Sequence, residues 1–166
     1  MQPTIIISGG FRSGKTYLGS QLSQALNIQD YAYADYLKIL ACRMFPDKIS
    51  EIYAETKTPE TRELLMDVRD KVFAEYDENF FIDFVHNKMK KSNSGIITDC
   101  RFYREMGAVS KDFPDAVWIM VGETVDEYDV GTFYKLADIH LPAKPITTIT
   151  GLNNLCQQIK EIANKF

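Results

Sequence analysis

Gly9-Gly10-Phe11-Arg12-Ser13-Gly14-Lys15-Thr16 sets two glycines, a lysine and a hydroxyl at the spacing GxxxxGK(S/T). That spacing suits one task, holding a chain of phosphates. Gly9 and Gly14 let the backbone curl and turn its N–H groups inward at phosphate oxygens. Lys15 supplies a point charge for the β- and γ-phosphates, and Thr16 offers a hydroxyl to Mg2+. A helix that starts there adds its positive end. The expected nucleotide contacts are Gly10, Arg12, Ser13, Gly14, Lys15, Thr16 and Tyr17, and the implied ligands are ATP and Mg2+.

Such a loop fixes a phosphoryl donor and leaves the acceptor open. Asp35, in Ala34-Asp35-Tyr36-Leu37-Lys38, either holds Mg2+ through water or orients an acceptor, or caps the helix it opens. Arg62 and Arg69 are seven residues apart on one helix face, with Lys57 ahead of them. They either clamp an acceptor phosphate through planar guanidinium forks or pair with Glu63 and Asp67 in solvent. Asp99 ends an apolar run in the place of a Walker B carboxylate, a second Mg2+ holder beside Thr16. Arg101, two residues on, points to the same edge; the plainer reading is a turn residue and a surface arginine. Glu105 stands one helical turn past Arg101, where it either pairs with that arginine or is only a helix charge. Phe80, Phe81 and Phe84 read as core, with base stacking as the other use.

The elements that must carry these residues follow from hydrophobic periodicity. Thr4 to Ser8 is a short β-branched apolar run, the pattern of a strand buried on both faces. A helical pattern with Leu18, Leu22, Ala25 and Leu26 comes next. Tyr31 to Tyr33, Gly95 to Thr98, Ala116 to Val121 and Ala137 to Leu141 are further strand candidates. Helices are expected from Asp35 to the residues before Pro46, from Thr58-Pro59 onward, around Phe80 to Met89, from Phe102 to Lys111, and over Leu152 to Ile162. Asp47 to Lys57 reads as a loop or irregular helix. Strands alternating with helices predict an α/β fold in three α/β/α layers, with a parallel five-stranded sheet covered on both faces. Ligands in such sheets bind beyond the carboxyl ends of the strands, where both the glycine loop and Asp99-Cys100-Arg101 fall.

Composition narrows the partners. The 166 residues are 45% hydrophobic and 25% charged, with a formal net charge of -4. That is enough chain for one domain with its own core. No basic stripe suits duplex nucleic acid; Lys88, Lys90 and Lys91 read as a solvated helix end. Cys42, Cys100 and Cys156 are far apart and odd in number, and His86 and His140 are distant from each other. Zinc spacings and a disulfide framework are therefore not expected. With no signal-peptide pattern and no membrane-length apolar run, the expected setting is the cytoplasm. The expected partners are small nucleotides, with the chain a monomer or homodimer.

Four segments in order resemble the phage-type deoxynucleoside monophosphate kinases, within the wider P-loop group that includes dephospho-coenzyme A kinases. They are Ser8 to Thr16, Ala34 to Lys38, Thr61-Arg62-Glu63-Leu64-Leu65-Met66, and Ile97-Thr98-Asp99-Cys100-Arg101-Phe102-Tyr103-Arg104-Glu105. The resemblance runs from about residue 4 to residue 121. It implies a fold like that of the P-loop nucleoside triphosphate hydrolases, formed as a single domain over 1–166. A helical acceptor-binding insertion would span about 35–92. The implied reaction passes the γ-phosphoryl group of ATP to a deoxynucleoside 5′-monophosphate, with Mg2+. On this basis Lys15, Asp35, Arg62 and Arg101 are the expected catalytic set, and Asp35, Arg62 and Arg101 are expected to face the acceptor.

The chain departs from that family in two places. The lid-like segment, about 122–136, is short and acidic, with Lys135 as its one lysine and no arginine. Where relatives carry an asparagine-containing adenine loop, this chain reads Leu141-Pro142-Ala143-Lys144-Pro145. These departures keep other readings open: a nucleotide-binding regulatory or interaction protein without useful transfer, or a kinase of another small acceptor.

Overall fold

Ile5, Ile6 and Ile7 are all inaccessible to solvent, so the first strand is covered on both faces. In the computed structural model, which describes residues 2–10, 12–122, 135–143 and 148–165, this strand is β1, Thr4–Gly9. The elements that follow are α1 (Lys15–Leu26), β2 (Asp30–Tyr31), α2 (Tyr33–Met44), a 3-10 turn at Pro46–Lys48, and α3 (Ile49–Ile52). After them come α4 (Pro59–Glu75), α5 (Phe80–Ser92), β3 (Gly95–Ile97), α6 (Tyr103–Asp112), β4 (Val117–Val121), β5 (Ile139–Leu141) and α7 (Ile149–Ala163). They form two compact units, one of Met1–Tyr31 with Lys88–Phe166, the other of Ala32–Asn87.

The first unit holds the five-stranded sheet, in the order β2-β3-β1-β4-β5. Every pairing is parallel. Side chains alternate across it. Ile5, Ile7, Ile96, Val117, Ile119 and Val121 pack on Leu18 and Leu22 of α1 and on Leu155 and Ile159 of α7. The intervening residues Ile6, Ile97, Trp118 and Met120 face the other way and are also buried. Met89 covers that second face at β3, so closely that a Cβ on Gly95 would lie 2.8 Å from its Cγ. The expected three-layer α/β/α arrangement is present.

The second unit is helical. Ala41, Ile52 and Val68 form its buried centre, with Leu37, Leu40, Leu64 and Leu65 packed around them. Thr58 caps α4 by accepting the Thr61 N–H at 3.2 Å, and Pro59 takes the first helical position. The sequence predicts both. Phe81 is buried, and Phe84 stacks on Tyr36 with ring centroids 3.5 Å apart, so the aromatic run is packing.

Two boundaries differ from expectation. β2 covers Asp30–Tyr31, and Tyr33 belongs to α2. Asp35 is therefore not the residue that opens the helix: Ala32 occupies the cap, and Asp35 lies in the first turn. The cause is burial. Tyr33 is 5% exposed, and its hydroxyl bonds His86 Nε2 at 2.8 Å. The three cysteines form no disulfide. Among the described residues, no helix is long and apolar enough to cross a membrane.

Candidate functional site

β1 ends at Gly9, and the chain turns through three left-handed positions before α1: Gly9 at φ 147°, Arg12 at φ 57° and Gly14 at φ 98°. Glycine tolerates this region without steric cost, which explains two of the three identities. The Ser13 N–H bonds the Gly10 carbonyl at 3.3 Å and closes the turn. Gly14 is the helix cap and supplies no side-chain acceptor; the first turn of α1 holds no acidic residue. The helix therefore presents its positive end without a built-in counter-charge.

Lys15 is 6% exposed. Its Nζ donates to the carbonyls of Gly9 at 2.7 Å and Gly10 at 2.5 Å, with Ser13 Oγ at 3.4 Å. Carbonyl dipoles thus hold a buried cation where water would otherwise be needed. Ser13 is buried, whereas Arg12, Thr16 and Tyr17 are exposed. The loop is seated tightly: a Cβ on Gly9 would strike the Val121 carbonyl oxygen, and one on Gly122 would lie 3.6 Å from Ser13 Cβ and 3.8 Å from Ala143 Cβ.

The end of β3 lies beside this loop. Gly19 of α1 sits against Thr98, with no room for a Cβ between them. Asp99 follows at once, partly exposed, and Arg101 is partly buried. The structure brings Gly10, Arg12 to Tyr17, Asp99 and Arg101 to one edge of the sheet. Glu105 does more there than the sequence indicates. Its Oε2 accepts the Arg101 N–H at 2.6 Å and the Phe102 N–H at 3.0 Å. It ties down the backbone that carries Arg101 and caps α6 from within.

Burial pushes the Glu105 carboxyl up to about 7; the two N–H bonds pull it down, and the Asp99 charge adds to the rise. A carboxyl raised above its unfolded value of 4.5 contributes stability that is complete below that pH and lost as pH rises through about 7. Glu105→Gln keeps an acceptor for both N–H groups and cannot ionise. We expect it to flatten the stability profile between pH 4.5 and 7 and to raise stability at pH 8. The gain is at most about 3 kcal/mol, and less because the carboxyl retains some exposure to solvent. Urea melts of both proteins at pH 5 and pH 8 measure this; equal slopes with pH would contradict it. Burial also pushes the Cys100 thiol well up, with Glu105 and Asp99 adding to the rise, so the thiolate is suppressed at neutral pH.

Asp35, Lys57 and Arg62 lie in the second unit. Asp35 is exposed and pairs with Lys38 Nζ at 2.7 Å. Arg69 is spent on its neighbour: Nε and Nη2 reach Asp70 Oδ1 at 2.8 and 2.7 Å. Its guanidinium also lies 5.9 Å from the centre of the Phe73 ring. Arg69 is thus paired with Asp70, whereas the Arg62 side chain is not. The Arg62 N–H bonds the Thr58 carbonyl at 3.1 Å; among the described residues its side chain makes no ion pair with Glu63 or Asp67. Lys57 donates to the Ala54 carbonyl at 3.0 Å. Its ammonium is held below the ordinary lysine range by burial and then by the charges of Lys38 and Arg62. Lys38, to which the sequence reading gave no role, pairs with Asp35 at a three-residue offset on α2.

Most of the acidic lid-like segment, and Lys144-Pro145 in the following loop, lie outside the described residues.

No protein-family model matches the chain, and no curated protein matches it. Solved structures do. A shikimate kinase from Bacteroides thetaiotaomicron is 15% identical with a TM-score of 0.47, each chain covered over 98%. One from Aquifex aeolicus is 16% identical with a TM-score of 0.49, covering 98% of this chain and 99% of that one. A candidate kinase from Chloroflexus aurantiacus reaches a TM-score of 0.53 at 11% identity, covering 99% of this chain and 97% of its own. At 11% identity the likeness to the Chloroflexus protein concerns the fold alone, a three-layer α/β/α arrangement matched over 99% of this chain.

Proposed function

We propose that this protein is a small kinase that moves the γ-phosphoryl group of ATP onto a (deoxy)nucleoside 5′-monophosphate, giving the diphosphate. The observation that carries the reading is Lys15: a buried ammonium on loop carbonyls, at the head of a helix with no side-chain cap and no acidic first turn. The ordered segments around Asp35, Arg62 and Asp99-Cys100-Arg101 support the monophosphate as acceptor. The 32–87 unit serves as the acceptor-binding insertion.

In this mechanism an ionised oxygen of the acceptor phosphate attacks the γ-phosphorus. The bond to the oxygen bridging the β- and γ-phosphates breaks, and ADP leaves with that electron pair. The attacking oxygen is already charged at neutral pH, so no strong general base is required. Lys15 and the N–H groups at the start of α1 stabilise charge on the transferring group. The resemblance assigns Arg62, Arg101 and Asp35 to the acceptor, the two arginines to hold its phosphate and Asp35 to position it.

Thr16 and Asp99 offer a hydroxyl and a carboxylate, the hard oxygen donors that suit Mg2+. No cluster of three His, Cys, Asp or Glu suited to a metal exists among the described residues. A Mg2+ held there would take most of its ligands from phosphates and water. Asp99 also bears on the half-buried Glu105, and a cation there would ease that repulsion. When bound, Mg2+ would neutralise charge across the β- and γ-phosphates.

A coupled assay for ADP, with ATP, Mg2+ and each of the four deoxynucleoside monophosphates in turn, tests the reading. At least one should be converted to its diphosphate. Tight ATP binding with transfer to none of them would instead favour a nucleotide-binding regulatory protein or a kinase of another acceptor.

A further inference from the structure

β3 passes the chain to α6 through Thr98 to Phe102, which belong to neither element. The Thr98 N–H still reaches the sheet, bonding the Tyr31 carbonyl at 3.0 Å. Further on, the Arg101 N–H bonds Glu105 Oε2 at 2.6 Å, and the Phe102 N–H bonds the same oxygen at 3.0 Å. A glutamate at the third position of a helix commonly accepts the N–H of the capping residue, and Phe102 is the cap of α6. Capping therefore accounts for the longer bond. The shorter one goes a residue further out, to Arg101, where it closes no part of the helix. Glu105 is carried by the first turn of α6, a helix seated by its buried Met106 and Val109, so the accepting oxygen sits on a fixed element. Arg101 is half-buried and its Nε is covered. Rotation of the side chain has little room to make up for a displaced backbone.

We infer that Glu105 is a positioning residue: it tethers the backbone of Arg101 and so holds the guanidinium in place at the sheet edge beside the glycine loop. The inference rests on the kinase reading, in which Arg101 faces the acceptor phosphate, and it adds a residue that touches no substrate. The tether works by geometry. A displacement of about 1 Å in a group that orients a reactant costs about a hundredfold in rate, and the stretch between β3 and α6 has no ladder of its own to prevent one. Both bonds need only an acceptor oxygen at the end of a side chain of this length. Glutamine can therefore keep the tether, and alanine cannot.

The test compares the wild type with Glu105→Gln and Glu105→Ala, and repeats Glu105→Ala in an Arg101→Ala background, all well below the melting midpoint of the least stable protein. Amide hydrogen exchange followed by NMR reads the tether directly, with the amides of β4 as the measure of global opening. In Glu105→Ala the Arg101 and Phe102 amides should exchange at least about tenfold faster relative to β4, and in Glu105→Gln they should stay near the wild-type rate. In the coupled assay Glu105→Ala should lower kcat/KM for the monophosphate at least about tenfold, with Glu105→Gln within about threefold of wild type. ADP affinity without Mg2+ should be the same in all three. Once Arg101 is alanine, Glu105→Ala should cost less than about twofold more, because the two positions act as one unit. Equal losses in both backgrounds would mark Glu105 as a helix cap and nothing else, and would overturn the inference. So would a Glu105→Gln protein as slow as Glu105→Ala, or amides that exchange no faster in Glu105→Ala. Faster exchange at Arg101 and Phe102 in a protein that transfers phosphate to no monophosphate would keep the tether and remove the kinase reading.

Discussion

Lys15→Ala is expected to reduce phosphoryl transfer by three orders of magnitude or more while the protein stays folded. The ammonium is 6% exposed, so its interaction with phosphate oxygens is weakly screened, and a positioned charge there is worth about 4 kcal/mol or more. Little of that energy belongs to the fold. Among the described contacts, Lys15 donates to the Gly9 and Gly10 carbonyls and the Ser13 hydroxyl, none of which depends on it for secondary structure. Removing the side chain opens space for water at those acceptors. The midpoint of thermal unfolding should therefore stay within about 3 °C, since about 1 kcal/mol moves a chain of this size by 2–4 °C. Lys15→Arg should not restore turnover, because a planar fork is too large for a site closed around a compact ammonium. Turnover and circular-dichroism melts on the same preparations measure both parts, and unchanged turnover in Lys15→Ala would sink the mechanism.

Gly9→Ala should do the opposite, striking the fold and the site together. Gly9 is in register with Val121 across the β1–β4 pair, and its φ of 147° lies where side chains are strained. The added methyl would also meet the Val121 carbonyl oxygen, which is backbone within a five-stranded sheet and has little freedom to retreat. Strain and overpacking together cost about 3 kcal/mol or more, a fall of roughly 6–12 °C in the midpoint. Nucleotide affinity should drop with it, because Lys15 bonds the carbonyl of this same residue. Gly107→Ala is the internal comparison: it lies in α6 with nothing within 4 Å of the new Cβ, and there alanine should stabilise by about 0.5–1 kcal/mol. Differential scanning calorimetry of the two variants distinguishes backbone strain from a general intolerance of alanine.

The glycine loop was readable because its logic is local. Eight consecutive residues carry it, and Gly9, Gly14, Lys15 and Thr16 answer to backbone geometry or phosphate chemistry. The strands were legible for a similar reason: runs such as Ile5-Ile6-Ile7 leave few alternatives. What the sequence concealed depends on distant partners. Asp35 looked like a cap until Tyr33 was drawn into the helix by His86, 53 residues away. Arg62 and Arg69 share a helix face, but Arg69 is ion-paired with its neighbour Asp70 at 2.7 Å. Glu105 stood at the spacing for an ion pair with Arg101, yet it bonds the backbone of that residue.

β1 occupies the middle of the sheet, with β3 on one side and β4 on the other. Binding loops commonly come from the least stable parts of a protein, where local opening is easy. This one leaves the strand that has a hydrogen-bonded neighbour on both edges and no solvent on either face. Freeing Gly9 would mean breaking the central ladder, so the donor loop inherits the opening energy of the whole sheet. Its described residues take their shape when the protein folds, so an anion bound there would meet a site already formed.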